Sequence, residues 1–224
     1  MVAPILEAPP EVRRRTNGRM PPSLPPTGGG DGHDDEPGPR RPLMDNALLA
    51  TIFLIGGETM LFAGLVASFW VLRVSAPVWP PPLQPRLPIG VTGANTMILL
   101  GSSAMIMAAG RALQGGARAT AVRRLWFAAL LGFTFLIVQG YEWLRLVGFG
   151  LTMHSSAYGS TFYTIVGAHA VHVLGALVWL TITATLLARG RFAGGRTGAV
   201  RACALYWHFV VALWPVLYVT VYLL

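Results

Sequence analysis

The sequence predicts an all-α, polytopic membrane protein, a bundle of five transmembrane helices. Hydrophobic residues make up 54% of the 224 residues and charged residues only 12%, a composition typical of membrane proteins. Five segments are apolar over the roughly 20 residues that a helix needs to cross the hydrocarbon core of a bilayer. The arginines cluster in alternate connections between these segments, as expected for a chain that crosses a membrane repeatedly.

The predicted spans are separated by short polar connections. Residues 78–88, "VWPPPLQPRLP", cannot be helical, because proline lacks the backbone N–H that a helix interior requires. The stretches 110–124 and 188–201, rich in arginine and glycine, are predicted to be two further loops. The predicted spans are 47–72, 89–109, 125–149, 161–188 and 202–224.

The distribution of arginine predicts the orientation. All 17 basic residues are arginine, and all but Arg73, Arg86 and Arg145 lie in the N-terminal segment or in the second and fourth connections. Positively charged loops stay in the cytoplasm. We therefore expect a cytoplasmic N-terminus, cytoplasmic loops around Arg118 and Arg196, and a C-terminus outside. The net charge of +8 is then a topology signal, and we expect no nucleic-acid partner.

The chain is predicted to have two parts, a polar tail (1–43) and a transmembrane domain (44–224). The tail is rich in proline, glycine and arginine, contains no apolar run that could serve as a secretory signal, and is too polar to bury a core of its own. The single cysteine, Cys203, rules out an internal disulfide and a metal site made only of cysteines.

A few polar side chains fall inside the predicted spans, where ionisable groups are costly and need a partner or a task. Glu58 lies eleven residues into the first span, which at 1.5 Å per residue is about 17 Å deep. We expect its carboxyl to be neutral or partnered. Two roles are open: a proton-relay group, or a neutral acid hydrogen-bonded to a neighbouring helix. The complete set is Glu58, Gln139, Glu142, His169, His172 and His208.

Spacing places two pairs of these residues on shared helix faces. Gln139 and Glu142 are three residues apart, as are His169 and His172. A His-x-x-His pair can bind zinc, a di-metal centre or haem. A di-iron bundle needs about four carboxylates in its core, whereas these spans contain two. The composition favours histidines that form interhelical hydrogen bonds.

Six short motifs occur in order between residue 44 and the C-terminus. They are "GGETMLFAG" (56–64), "WPP" (79–81), "NTMILLGSS" (95–103), "QGYEW" (139–143), "YGSTFY" followed by "GAHAVHV" (158–173), and "YWHF" (206–209) with "LYVTVYLL" (217–224). In this order they resemble subunit III of the haem–copper oxidases, as in cytochrome c oxidase, in the short five-helix bacterial form.

The resemblance implies a multi-pass subunit of a respiratory oxidase in a bacterial inner membrane. Oxygen reduction and proton pumping would belong to subunits I and II, which carry haem and copper. This chain would hold no metal, haem or copper and would be non-catalytic, with structural histidines. It would stabilise subunit I, support proton uptake and bind membrane lipids. Membership of a respiratory supercomplex stays open.

The chain differs from the long form of the family in several places. It has two helices fewer, and three acidic positions of the family are Ser155, Arg201 and Val211 here. Arg189, which follows "TLLA", resembles the family's lipid-binding arginine and is a candidate for a phospholipid headgroup.

Other functions stay open at this point. The electron donor could be cytochrome c or quinol; "WPP" and "YGSTF" favour the cytochrome c branch. A chain associated with nitric-oxide reductase is a weaker alternative. Outside this family, the sequence is compatible with a membrane haem protein or with a proton-coupled transporter built around Glu58. The inverted repeats typical of many transporters are not evident.

Overall fold

The computed structural model describes residues 45–82, 85, 87–192 and 198–224. Helix α1 spans Asn46–Ser75, α2 Ile89–Gln114, α3 Arg118–Gly148, α4 Ala157–Ala188 and α5 Gly198–Tyr218, which continues as a π-helical turn over Val219–Leu223. All five are long and apolar enough to cross a membrane, and the described residues contain no strand. The predicted fold class is confirmed, while the orientation in the membrane stays a prediction.

The helices extend beyond the predicted spans, and the predicted loop at 110–124 is wrong. There α2 continues to Gln114 and α3 begins at Arg118, so only three residues connect them. Gly116 makes this short connection possible with a φ of 75°, a conformation that glycine adopts readily. A helix satisfies its own backbone hydrogen bonds and can continue into the headgroup layer. Hydropathy therefore locates the hydrocarbon core and not the helix ends.

Helices α2 to α5 form a four-helix bundle in which each packs against the next and α5 returns to α2. Trp207 and Trp214 are among the largest fully buried side chains of this bundle. Trp207 Nε1 donates to Ser102 Oγ at 3.0 Å, which links α5 to α2. A Cβ at Gly132 would lie 2.5 Å from the Trp207 ring, so the glycine on α3 makes room for the indole.

Helix α1 packs on α5 and α4 at the side of this bundle. Its outward side chains are apolar, and Phe53 and Met60 are 73% and 77% exposed. In the connection after α1, the Trp79 ring lies 5.6 Å from the Phe69 ring and 5.3 Å from the Tyr158 ring. The tryptophan of "WPP" therefore joins the end of α1 to the start of α4.

The "YGSTFY" motif builds the start of α4. Ser156 caps the helix, since its Oγ accepts a hydrogen bond from the Gly159 N–H at 3.1 Å. A Cβ on Gly159 would collide with the Thr152 carbonyl oxygen, so this position requires glycine. Tyr163 donates to the Leu151 carbonyl at 2.9 Å. These contacts position α4 and the two histidines that follow on it.

Several sequence predictions lie outside the described residues. These are the N-terminal tail (1–43), Arg86 in the proline-rich connection, and Arg196 in the last loop. The division of the chain at residue 43 therefore stays a prediction.

Candidate functional site

Glu58 lies where α1 meets α4 and α5. The Tyr206 hydroxyl on α5 donates to Glu58 Oε1 at 2.9 Å, and His172 Nε2 on α4 lies 3.7 Å from the same oxygen. The Glu58 side chain is 12% exposed, and its second carboxyl oxygen is buried without a hydrogen-bond partner. This three-residue group, named here the Glu58 cluster, ties α1 to the four-helix bundle.

The contacts of His172 determine which of its ring nitrogens carries a hydrogen and which one faces Glu58. Nδ1 lies 2.7 Å from the Ala168 carbonyl oxygen, which can only accept, so Nδ1 carries a hydrogen. When the ring is neutral, Nε2 presents a lone pair to Glu58 and is favourably matched by a protonated carboxyl. When the ring is protonated, Nε2 presents an N–H and is matched by a carboxylate. At 3.7 Å the separation between Nε2 and Oε1 is an electrostatic contact and not a hydrogen bond.

His169 has a different environment from His172. Three residues along a helix correspond to a rotation of roughly 60° between side chains. His172 therefore faces α1, whereas His169 enters the core, is 1% exposed, and stacks on the Trp214 ring at 4.9 Å. Neither ring nitrogen of His169 has a hydrogen-bond partner. In place of the expected interhelical hydrogen bond, His169 makes aromatic contacts.

Gln139 and Glu142 lie in the C-terminal half of α3. Their hydrogen bonds go to residues other than His169 and His172. Gln139 Nε2 donates to the Tyr222 hydroxyl at 3.0 Å and so connects α3 to the final π-helical turn. Buried Glu142 pairs with Arg145 on its own helix, with Arg145 Nη1 3.2 Å from Glu142 Oε1. The Arg145 side chain is 48% exposed, so this ion pair reaches from the core to the surface.

His208 forms the expected type of interhelical contact. Its Nδ1 is hydrogen-bonded to Ser103 Oγ, which joins α5 to α2. Ser103, Tyr206 and Tyr222 were not among the predicted site residues, although all three lie within the motifs of the sequence analysis. The signal that could have identified them is a hydroxyl inside an apolar helix, since a buried hydroxyl needs a hydrogen-bond partner.

The arginine-rich end of α4 lies against the start of α3. Arg118 donates from Nε to the Leu187 carbonyl at 2.8 Å and from Nη2 to the Ala188 carbonyl at 2.9 Å. Arg118 thus donates to two of the last carbonyl groups of α4, and the Leu187 carbonyl also accepts from the Gly190 N–H at 3.1 Å. Arg189, the candidate lipid ligand, is the exposed residue that ends this helix.

The polar groups of the helices are dispersed. Within the described residues, no group of three or more histidine, cysteine, aspartate or glutamate side chains comes together as metal ligands would. The arrangement can hold helices together.

Comparison with known proteins supports the resemblance of the motifs. Residues 42–224 match the family model described as cytochrome c oxidase subunit III. The cytochrome c oxidase subunit 3 of a Synechocystis species is 32% identical over 181 residues, covering 80% of this chain and 76% of the relative. The probable cytochrome c oxidase subunit 3 of Nocardia farcinica is 36% identical over 177 residues, covering 78% and 86%. The corresponding Bacillus subtilis protein is 34% identical over 183 residues, covering 80% and 86%. The chain therefore belongs to the cytochrome c oxidase subunit III family, whose members are subunits of haem–copper oxidases.

Proposed function

We propose that this chain is a non-catalytic subunit, without a redox cofactor of its own, of a respiratory terminal oxidase in a bacterial inner membrane. Its partners are oxidase subunits I and II, which carry the haem and copper, reduce oxygen to water and pump protons. The chain stabilises subunit I, supports proton uptake and binds lipid, with Arg189 at the end of α4 holding an anionic headgroup.

The observation that carries this proposal is how three of the ionisable side chains inside the helices are engaged. Glu58 is engaged by Tyr206, His208 by Ser103, and Glu142 by Arg145. Each pair joins two helices or reaches the surface from one helix. Where ionisable groups of different helices do meet, in the Glu58 cluster, they join α1 to α4 and α5.

The Glu58 cluster gives this structural role a mechanism. Helix α1 is the least buried of the five spans, so few packing contacts hold it to the bundle. The hydrogen bond from Tyr206 on α5 lies inside the membrane, where water does not compete for the carboxyl. We assign Glu58 the task of holding α1 in the position that subunit I recognises.

Purification of the oxidase through a tag on this chain tests the proposal. The purified complex is expected to contain subunits I and II, haem, copper and oxygen-consuming activity. Mild detergent removal of this chain should then leave the haem spectrum, the copper content and the initial rate of oxygen reduction on the remaining complex. Haem or copper that leaves in proportion to this chain would contradict the proposal. The content of subunit I is the control: its loss during the same detergent treatment would indicate general denaturation.

A further inference from the structure

An amphipathic feature lies on the surface between α2 and α3, away from the Glu58 cluster and from Arg189. It is a groove of about 350 Å³ lined by Met105, Thr120, Arg123, Arg124 and Phe127. Met105 comes from α2, and the other four residues come from α3. Neither the resemblance to the family nor the buried polar contacts account for this groove.

The α3 side of the groove changes from polar to apolar along the helix. Positions 120, 123, 124 and 127 have the spacing of a single helix face. Thr120 and the two arginines come first, and Phe127, which is 50% exposed, lies one turn deeper in the span. From Thr120 to Phe127 the helix rises about 10 Å. The headgroup layer on each side of a bilayer is about 5–8 Å thick, so this face passes from that layer into the hydrocarbon.

The two arginines of the groove differ from Arg118 in what they contact. Arg118 donates two hydrogen bonds from its guanidinium to carbonyls of α4. Arg124 donates from Nη1 to the Ala108 carbonyl at 2.6 Å, which joins α3 to α2 across the groove. Arg123 is exposed. Over the described part of the chain, neither Arg123 nor Arg124 forms an ion pair with a carboxylate.

We infer that this groove binds an anionic phospholipid, with Arg123 and Arg124 on the phosphate and Met105 and Phe127 along an acyl chain. Charge and shape both indicate this occupant. Adjacent guanidinium groups offer several N–H donors in a geometry that suits phosphate oxygens. An apolar side chain directly below them suits a ligand with an anionic head and a hydrocarbon tail. The inference depends on the membrane spans alone and does not require the proposed role of the Glu58 cluster.

The test uses the complete oxidase in phosphatidylcholine nanodiscs that contain a small fraction of phosphatidylglycerol with a photoactivatable acyl chain. Cross-linked peptides of this chain are mapped by mass spectrometry. The wild-type complex should be labelled on the segment of α2 around Met105 and on α3 near Phe127. Arg123→Gln/Arg124→Gln should lower the apparent affinity on the order of 30-fold, from the loss of two arginine–headgroup attractions.

Two further variants separate this site from a general effect of charge or folding. Arg111→Gln/Arg191→Gln removes the same charge from exposed arginines outside the groove, and labelling of the groove should persist. Arg123→Gln alone keeps the Arg124–Ala108 hydrogen bond and should still lower the affinity several-fold.

Three results would overturn the inference. One is equal labelling in the wild type and the Arg123/Arg124 variant. Another is an equal loss in both double variants, which would indicate only a basic membrane surface. The third is groove labelling that appears only after the acidic residues 34–36 of the N-terminal segment are replaced by asparagine and glutamine. That result would show that this acidic segment, and not a phospholipid, occupies the groove.

Discussion

Replacement of Glu58 by glutamine tests whether the carboxyl serves as a neutral structural group. A glutamine has nearly the same shape as a protonated glutamic acid and keeps a hydrogen-bond group within reach of Tyr206. The Tyr206–Glu58 contact, at 2.9 Å, is a normal, partly buried hydrogen bond. We therefore expect Glu58→Gln to destabilise the packing of α1 by only about 0–1.5 kcal/mol.

Glu58→Ala is expected to be far more severe. It removes the acceptor of the Tyr206 hydroxyl and leaves His172 Nε2 facing an apolar gap. A buried polar group without a partner costs about 1–3 kcal/mol, and the space left by the side chain adds to this. A total of about 2–5 kcal/mol should weaken the attachment of α1 and reduce the amount of this chain in the complex.

The assay measures subunit content first and oxygen consumption second, in oxidase purified from membranes. The Glu58→Gln complex should contain a normal amount of this chain and retain most of its turnover. Any effect should appear in proton pumping or in the lifetime of the enzyme during turnover. A fully assembled Glu58→Gln complex that consumes no oxygen would refute the structural assignment and favour a proton relay.

A double-mutant cycle that combines Glu58→Ala with Tyr206→Phe provides the matched control. The two substitutions remove opposite partners of one hydrogen bond, so their effects on the thermal retention of this chain should be non-additive. The expected coupling is about 0.5–1.5 kcal/mol. Strictly additive effects would show that the 2.9 Å contact contributes nothing to the attachment of α1.

Three further substitutions test separate parts of the structure. Gly132→Ala should strongly lower the content of this chain in the purified oxidase, since the new methyl group would overlap the Trp207 ring. Gly140→Ala, with open space at its Cβ, is the control and should have little effect. Equal effects of the two substitutions would contradict the packing. Ala117→Cys, in the connection between α2 and α3, should resist a membrane-impermeant thiol reagent added outside intact cells, and efficient labelling there would reverse the predicted orientation. Arg189→Ala should reduce co-purified anionic phospholipid about fivefold, and an unchanged lipid content would remove this residue as a lipid ligand.

The sequence alone was sufficient for the fold class, the number of spans and the family. Bilayer thickness imposes a minimum length on each apolar segment, and a segment that crosses the hydrocarbon has to be helical to satisfy its backbone. The proline-rich connection was equally readable, because proline excludes a regular helix. The costly position of Glu58 inside a span also identified it as a residue with a partner.

Only the tertiary structure decided which partner each polar residue has. His169 and His172 share a motif, yet a rotation of roughly 60° sends one to Trp214 and the other to Glu58. Glu142 pairs with Arg145 of its own helix, although a partner on another helix was equally compatible with its sequence position. The spacing of residues in the sequence indicates which of them share a face of a helix. The rotation of that helix about its axis and the identity of its neighbours depend on the packing of large side chains, such as Trp207 over Gly132. Those contacts join residues far apart in the chain, so they emerge only when the whole bundle is assembled.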